Sequence, residues 1–140
     1  MRQILLFAAL AASLALLIGC GAAKDKSEAA KDMPDNAAYH KISAEEAYEM
    51  MASQEVVVVD VRTQEEYDGG HIENAVLVPN ESIGSEMPEV LPDKEATLLV
   101  YCRSGRRSKD AAEKLLALGY QSVYDFGGVI DWPYELVKEG

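Results

Sequence analysis

Two stretches constrain this chain more than any other feature: the unbroken apolar run Val56 to Val59 and a second buried strand, Thr97 to Tyr101. The first is β-branched throughout, the mark of a strand buried on both faces. Such strands need helices above and below them. Ser43-Ala44-Glu45-Glu46 is a capping box, with Ser43 as N-cap and Glu46 reaching back, and predicts a helix through Met51. Thr63 to Asp68 predicts a short helix closed by Gly69-Gly70. Ser104 or Gly105 to Leu118 predicts a longer one, with an apolar face of Ala111, Ala112, Leu115, Leu116 and Leu118 and a stop at Gly119. Tyr39 to Ile42 reads as an edge strand, Ala75 to Val78 as a strand stopped by Pro79, and Asn80 to Val90 as a short helix plus loop. Gln121 to Phe126 reads as the last strand and Ile130 to Lys138 as the last helix. Strands alternating with helices predict an α/β domain with a largely parallel sheet covered on both faces. In such sheets sites lie at the carboxyl ends of strands, which directs attention to the residues after Tyr101.

The N-terminal segment has a different character. Arg2 precedes a 15-residue apolar run, Ile4 to Ile18, broken only by Ser13. This is the pattern of a secretory signal and is short for a permanent membrane span. Leu17-Ile18-Gly19-Cys20 resembles the bacterial lipobox. That resemblance implies cleavage before Cys20, a diacylglycerol thioether on its sulfur, and an exported protein anchored by lipid to a bacterial membrane, facing the periplasm or cell exterior. Gly21 to Ala38 contains no Leu, Ile, Val or aromatic residue and reads as a flexible tether. The expected organisation is a signal peptide over residues 1–19, a lipidated N-terminus and linker over 20–38, and one folded domain over 39–140.

Charge isolates one segment. The chain carries a formal charge of −11, yet residues 102–109 contribute +4 and no acid, leaving −15 elsewhere. An acidic body argues against nucleic acid as a partner, while the basic loop is suited to drawing in a small anion. That loop is Cys102-Arg103-Ser104-Gly105-Arg106-Arg107-Ser108, set between a strand and a helix. A cysteine there faces the unpaired N–H groups and positive dipole of a helix N-terminus. With Arg103, Arg106, Arg107 and Lys109 close by, the thiolate is favoured over the thiol, and the thiolate is the nucleophile. Two histidines, His40 and His71, and no second free cysteine give no structural metal site, and no cofactor is called for. With Cys20 lipidated, Cys102 is the only free thiol and has no internal resolving cysteine.

The motifs along residues 39–140 resemble the rhodanese-like sulfurtransferase domains. They occur in that family's order: Asp60-Val61-Arg62, Glu66-Tyr67, Gly70-His71-Ile72 followed by Ala75, Val100-Tyr101-Cys102, the loop to Arg107, and Gly127-Gly128 with Trp132 after it. Glu73-Asn74 stands where the family has Pro-Gly, a departure that concerns the local turn. The resemblance implies a three-layer α/β/α domain on a central, mostly parallel five-stranded sheet. It also implies that Cys102 accepts a sulfane sulfur as a persulfide and hands it to a nucleophile. The expected donor is a small anion such as thiosulfate, or a persulfide, and the acceptor a thiol, for instance that of a thioredoxin-like protein. Loop N–H groups from Arg103 to Ser108 would hold the terminal sulfur, Arg107 would point inward, and Arg103 or Arg106 would meet the incoming anion. Asp60, and Arg62 with Glu66, are expected as structural ion pairs beneath the loop. Gly-His-Ile lies in a connecting turn in this family, which leaves His71 outside the chemistry. Trp132 is expected to anchor the last helix or to border the pocket mouth.

Two other readings remain open on these residues. A carrier module would load one persulfide for a docked partner, with little turnover on small molecules. A cysteine phosphatase or arsenate reductase would use a similar loop, but that class places its arginine six positions after the cysteine, and Arg107 is five after Cys102.

Overall fold

The run around Leu99 is the middle of the sheet. A computed structural model describes residues 38–139; the expected signal peptide, Cys20 and the linker to residue 37 lie outside the described residues. The strands are β1 (Ala38–Lys41), β2 (Val57–Asp60), β3 (Val76–Leu77), β4 (Thr97–Cys102) and β5 (Ser122–Gly128). They stand in the order β1-β5-β4-β2-β3, every pair parallel. β1 is at the edge, as expected, and β4 runs one residue further than expected, to include Cys102.

Side chains alternate across the central strands, as a period of two requires. Val59, Val61, Leu98, Val100 and Cys102 join the core on one face with Ala111, Ala112, Leu115 and Leu116 of α3 (Arg106–Ala117). Val58, Leu99 and Tyr101 join the other with Ala44 and Ala47 of α1 (Ala44–Ser53). Helices therefore cover both faces, giving the expected three layers. The Ser43–Glu46 capping box is formed in both directions. The same device, Thr63 with Glu66, opens α2 (Gln64–Asp68).

The expected helix over Ile130 to Lys138 is absent. A single 3₁₀ turn, Val129–Asp131, is followed by chain without helix, and Val137 forms an antiparallel bridge with His71. Pro133 explains the difference: it disfavours the helical region for the residue before it, and Trp132 sits at φ −78°, ψ 112°. Trp132 still anchors the segment, packing on Phe126, Tyr48 and Tyr134. It borders a cleft of about 740 Å³ that no residue of the Cys102 loop lines. The departure at Glu73-Asn74 is accommodated locally: Asn74 takes φ 63°, a left-handed conformation that glycine would adopt freely and that asparagine tolerates best among the others.

Candidate active site

The carboxyl end of β4 delivers Cys102 to the base of a loop whose far side is the first turn of α3. Unlike α1 and α2, this helix has no side-chain cap; its N-cap is Gly105, at φ 102°. The orphan N–H groups of an uncapped helix need an acceptor, and the cysteine sulfur is at hand. Gly105 N–H donates to Cys102 Sγ at 3.0 Å. Burial pushes the Cys102 thiol up, but the N–H groups of Ser108, Gly105 and Ser104, together with the Ser108 hydroxyl, prevail and hold it below its ordinary value. The sulfur is buried, Ser108 is buried, and Arg103, Ser104 and Arg106 face solvent.

A bulge in the sheet makes room for the loop. Val100 pairs with Asp125 but Cys102 with Gly128, so β5 carries one extra residue there. Gly127, at φ 87°, absorbs it. The backbone of Gly128 then lies directly under Arg103, whose carbonyl accepts from the Ile130 N–H at 3.2 Å. A side chain at Gly128 would collide with the Arg103 carbonyl and Ser104 Cα.

The ion pairs are partnered differently from the expectation. Arg62 binds Asp60, not Glu66, with Nη2–Oδ2 at 2.6 Å and Nε–Oδ1 at 2.9 Å. Both are buried and joined by the Tyr101 hydroxyl, which donates to Asp60 at 2.6 Å. Glu66 instead takes Arg107 in a two-pronged pair, 2.8 Å at each prong. Arg107 therefore fixes the loop from the side, through α2, while remaining close enough for the Cys102 charge to raise its own affinity for a proton. His71 is buried, stacked on Tyr67 with Nδ1 2.9 Å from the Tyr67 carbonyl, and takes no part in the loop. His40 is exposed and stacks on Tyr124.

Hydrogen bonds from Arg107 bring the Glu66 carboxyl down to about 2 against the opposing effect of burial, with Thr63 adding to the drop. A depressed folded-state value stabilises the fold above the ordinary value of 4.5, and that contribution is lost as pH falls from there towards 2. Glu66→Gln is accordingly expected to flatten the loss of stability across that interval, read by denaturant unfolding at each pH. An unchanged profile would assign the acid sensitivity to other carboxylates.

Two site residues have no place in the sequence reading. Asp125 is buried beneath the loop, accepting from Ser108 Oγ at 2.7 Å and Gly127 N–H at 2.9 Å. Its signal was available: Asp125, between Tyr124 and Phe126, is the one charged residue of β5. Lys41, whose Nζ is 3.3 Å from Asp125 Oδ1, arrives from the edge strand, and nothing near it in sequence points to the loop. Among the described residues no three His, Cys, Asp or Glu side chains gather closely enough to hold a metal ion.

The arrangement is a cysteine sulfur with directed N–H donors in a cationic surround, which favours the thiolate and is suited to nucleophilic attack on an anionic substrate. Comparison with known proteins agrees in kind. The family model described as Rhodanese-like domain matches residues 43–133. A tRNA uridine(34) hydroxylase of Yersinia pestis (strain Pestoides F) is 30% identical over 106 residues, covering 72% of this chain and 30% of that protein. The chain thus spans less than a third of the length of that curated relative. Among solved structures, "rhodanese with anions from E. coli" is similar at 34% identity and TM-score 0.56, covering 61% of this chain and 100% of that one. A thiosulfate sulfurtransferase from Pseudomonas aeruginosa is similar at 26% identity and TM-score 0.64, covering 73% and 21%.

Proposed function

This chain belongs to the rhodanese-like domain family, and from that premise we propose that it is a sulfurtransferase, exported and held on a membrane by lipid at Cys20, that moves a sulfane sulfur through a Cys102 persulfide. The observation that carries the reading is the Cys102 sulfur seated against the Gly105 N–H at 3.0 Å at an uncapped helix start. In the first step the Cys102 thiolate attacks the outer sulfur of thiosulfate. A new S–S bond forms at Cys102, the donor's S–S bond breaks, and sulfite leaves with the electron pair. Sulfite is a stable anion, so no acid is required for departure. The charge now on the terminal sulfur stays within reach of the loop N–H groups. In the second step an acceptor thiolate attacks that sulfur, taking it as a new persulfide and returning the Cys102 thiolate. Exposed Arg103 and Arg106 meet the donor anion. The similarity to a rhodanese whose description includes bound anions supports this choice of donor class.

The test is the intact mass of the full chain in detergent before and after thiosulfate, beside Cys102→Ser. A gain of one sulfur atom, about 32 Da, absent in the variant and reversed by cyanide or a thiol, is the expected result. No gain with thiosulfate or a glutathione persulfide in folded protein would sink the reading. Sustained turnover with thiosulfate and cyanide supports an enzyme, whereas one load followed by a stall supports a carrier. Loss of lipid incorporation in Cys20→Ser tests the anchor.

A further inference from the structure

Asp125 braces the Cys102 loop with a group whose charge opposes the chemistry. Its side chain is 2% exposed. Oδ1 accepts from the Ser108 hydroxyl at 2.7 Å and from the Gly127 N–H at 2.9 Å, and Oδ2 from the Tyr39 hydroxyl at 3.1 Å. Ser108 is also in hydrogen-bond contact with the Cys102 sulfur, through its N–H and its hydroxyl. One residue therefore separates the buried carboxylate from the nucleophile. A negative charge so placed disfavours a thiolate, which is the form the transfer reaction needs.

The opposite charge comes from the edge strand β1. Lys41 Nζ is 3.3 Å from Asp125 Oδ1, with its side chain 55% exposed, and among the described residues it is the one cation paired with that carboxylate. The same ammonium lies over Gly127, 3.3 Å from the position a Cβ would take there. Gly127 Cα is in turn 3.5 Å from the corresponding position at Gly105, whose N–H donates to the sulfur. Lys41 thus packs on the backbone that supports the loop. We propose that Lys41 is a positioning residue for the transfer reaction: acting through Asp125, it cancels the charge of the brace, so that the loop has the hydrogen bonds of a buried carboxylate without its repulsion of the Cys102 thiolate. The other charges around the site already have their own places. Arg107 on α3 is bound to Glu66 on α2 and feels Glu81, Asp60 at the end of β2 is bound to Arg62, and Arg103 and Arg106 face solvent. On β1, burial, the Asp125 charge and Glu113 push the Tyr39 phenol up to about 12, so it stays a neutral donor. The purpose rests on the sulfur-transfer reading of Cys102, but the test does not.

Thiolate formation in the full chain is titrated by ultraviolet absorbance, with Cys102→Ser as the blank in each background. Lys41→Met is expected to raise the midpoint by about half a pH unit, roughly threefold less thiolate at a given pH below it. Solvent around the half-exposed ammonium keeps the shift modest. Lys41→Arg, which keeps the charge, should stay within about 0.2 of wild type. Adding Asp125→Asn to Lys41→Met removes the uncancelled charge and should return at least half of the shift. An unmoved or lowered midpoint in Lys41→Met would overturn the proposal, as would an equal rise in Lys41→Arg. A double variant that returns less than half would also overturn it, because a lysine that only holds the loop together is not replaced by neutralising its partner. Should the double variant fail to fold, the rate with a small disulfide reagent above the midpoint decides. Lys41→Met is expected to match or slightly exceed wild type there, since a less stabilised thiolate is the stronger nucleophile. A fall would mean a loosened loop and would overturn the proposal. No sulfur donor enters either measurement, so their failure and a failure of persulfide loading are read separately.

Discussion

Gly128→Ala is expected to slow sulfur loading of Cys102 by about a hundredfold, in a protein that still folds. The backbone at Gly128 has φ −118° and ψ 147°, which any residue adopts, so conformational strain is not the cause. The cause is space. The added methyl would overlap the Arg103 carbonyl and carbon and the Ser104 Cα, all backbone. Backbone cannot swing aside as a long side chain does, so the loop itself must lift. Arg103 and Ser104 directly follow the proposed nucleophile, Cys102, and a shift of about 1 Å at a reacting group can cost roughly 10²-fold. Overpacking of this kind destabilises by about 1–3 kcal/mol, which a domain of ordinary stability survives. Gly84→Ala is the matched control, since nothing lies within 4 Å of the position its Cβ would take. The measurement is the rate of persulfide formation by mass, alongside thermal unfolding. Loading at the wild-type rate in Gly128→Ala would show that the loop does not depend on this contact.

The largest stability effect is expected beside the neighbouring strand end, in Arg62→Met. Asp60 is fully buried and Arg62 nearly so. Asp60 receives the Arg62 backbone N–H at 2.9 Å, the Arg62 guanidinium on both oxygens, and the Tyr101 hydroxyl at 2.6 Å. Arg62 Nη2 also donates to the Gly70 carbonyl at 2.8 Å, and Tyr101 accepts the Ile72 N–H at 3.1 Å. One network thus joins the end of β2, the turn after α2, and β4. Removing the guanidinium leaves a buried carboxylate without its counter-charge and a carbonyl without its donor, and loss of one partner of a buried pair costs about 3–5 kcal/mol. The denaturant midpoint should fall by the corresponding amount with the slope unchanged. Adding Asp60→Asn should recover part of the loss, because the stranded charge goes with it. Folded Arg62→Met is expected to keep loading sulfur, since the network does not touch the Cys102 sulfur. A loss below about 1 kcal/mol would mean that water or another side chain reaches Asp60 once Arg62 is gone.

These two sites differ in how legible they are in the sequence. Asp60-Val61-Arg62 is recognisable as a motif at a strand end, but the expected pairing of Arg62 with Glu66 does not form. Residues two apart at a strand end close on each other, and Glu66, on the opening turn of α2, faces Arg107 instead. That pair spans 41 residues. Gly127-Gly128 is legible as a motif, yet its reason is not: the second glycine is dictated by a bulge that brings another backbone against it. The helix expected over Ile130 to Lys138 fails for a local reason, because Pro133 and the residue it constrains are both present in the sequence.

What the sequence determined by itself is whatever depends on near neighbours. Apolar runs, capping residues and the apolar face of the longest helix placed the five strands and three of the expected helices, the capping box at Ser43 and the glycine stops bounded elements within a residue or two, and a cysteine with four cations between strand and helix marked the proposed nucleophile. What only the tertiary structure decided is which distant groups meet around that cysteine: Glu66 on Arg107, Asp125 on Ser108, Lys41 on Asp125, Gly128 under Arg103. Those meetings are set by the strand order, the parallel register and one bulged residue in β5. Each is a property of packing across the sheet. Local pattern fixes which way a side chain faces along its own strand; what stands opposite it depends on a different stretch of chain.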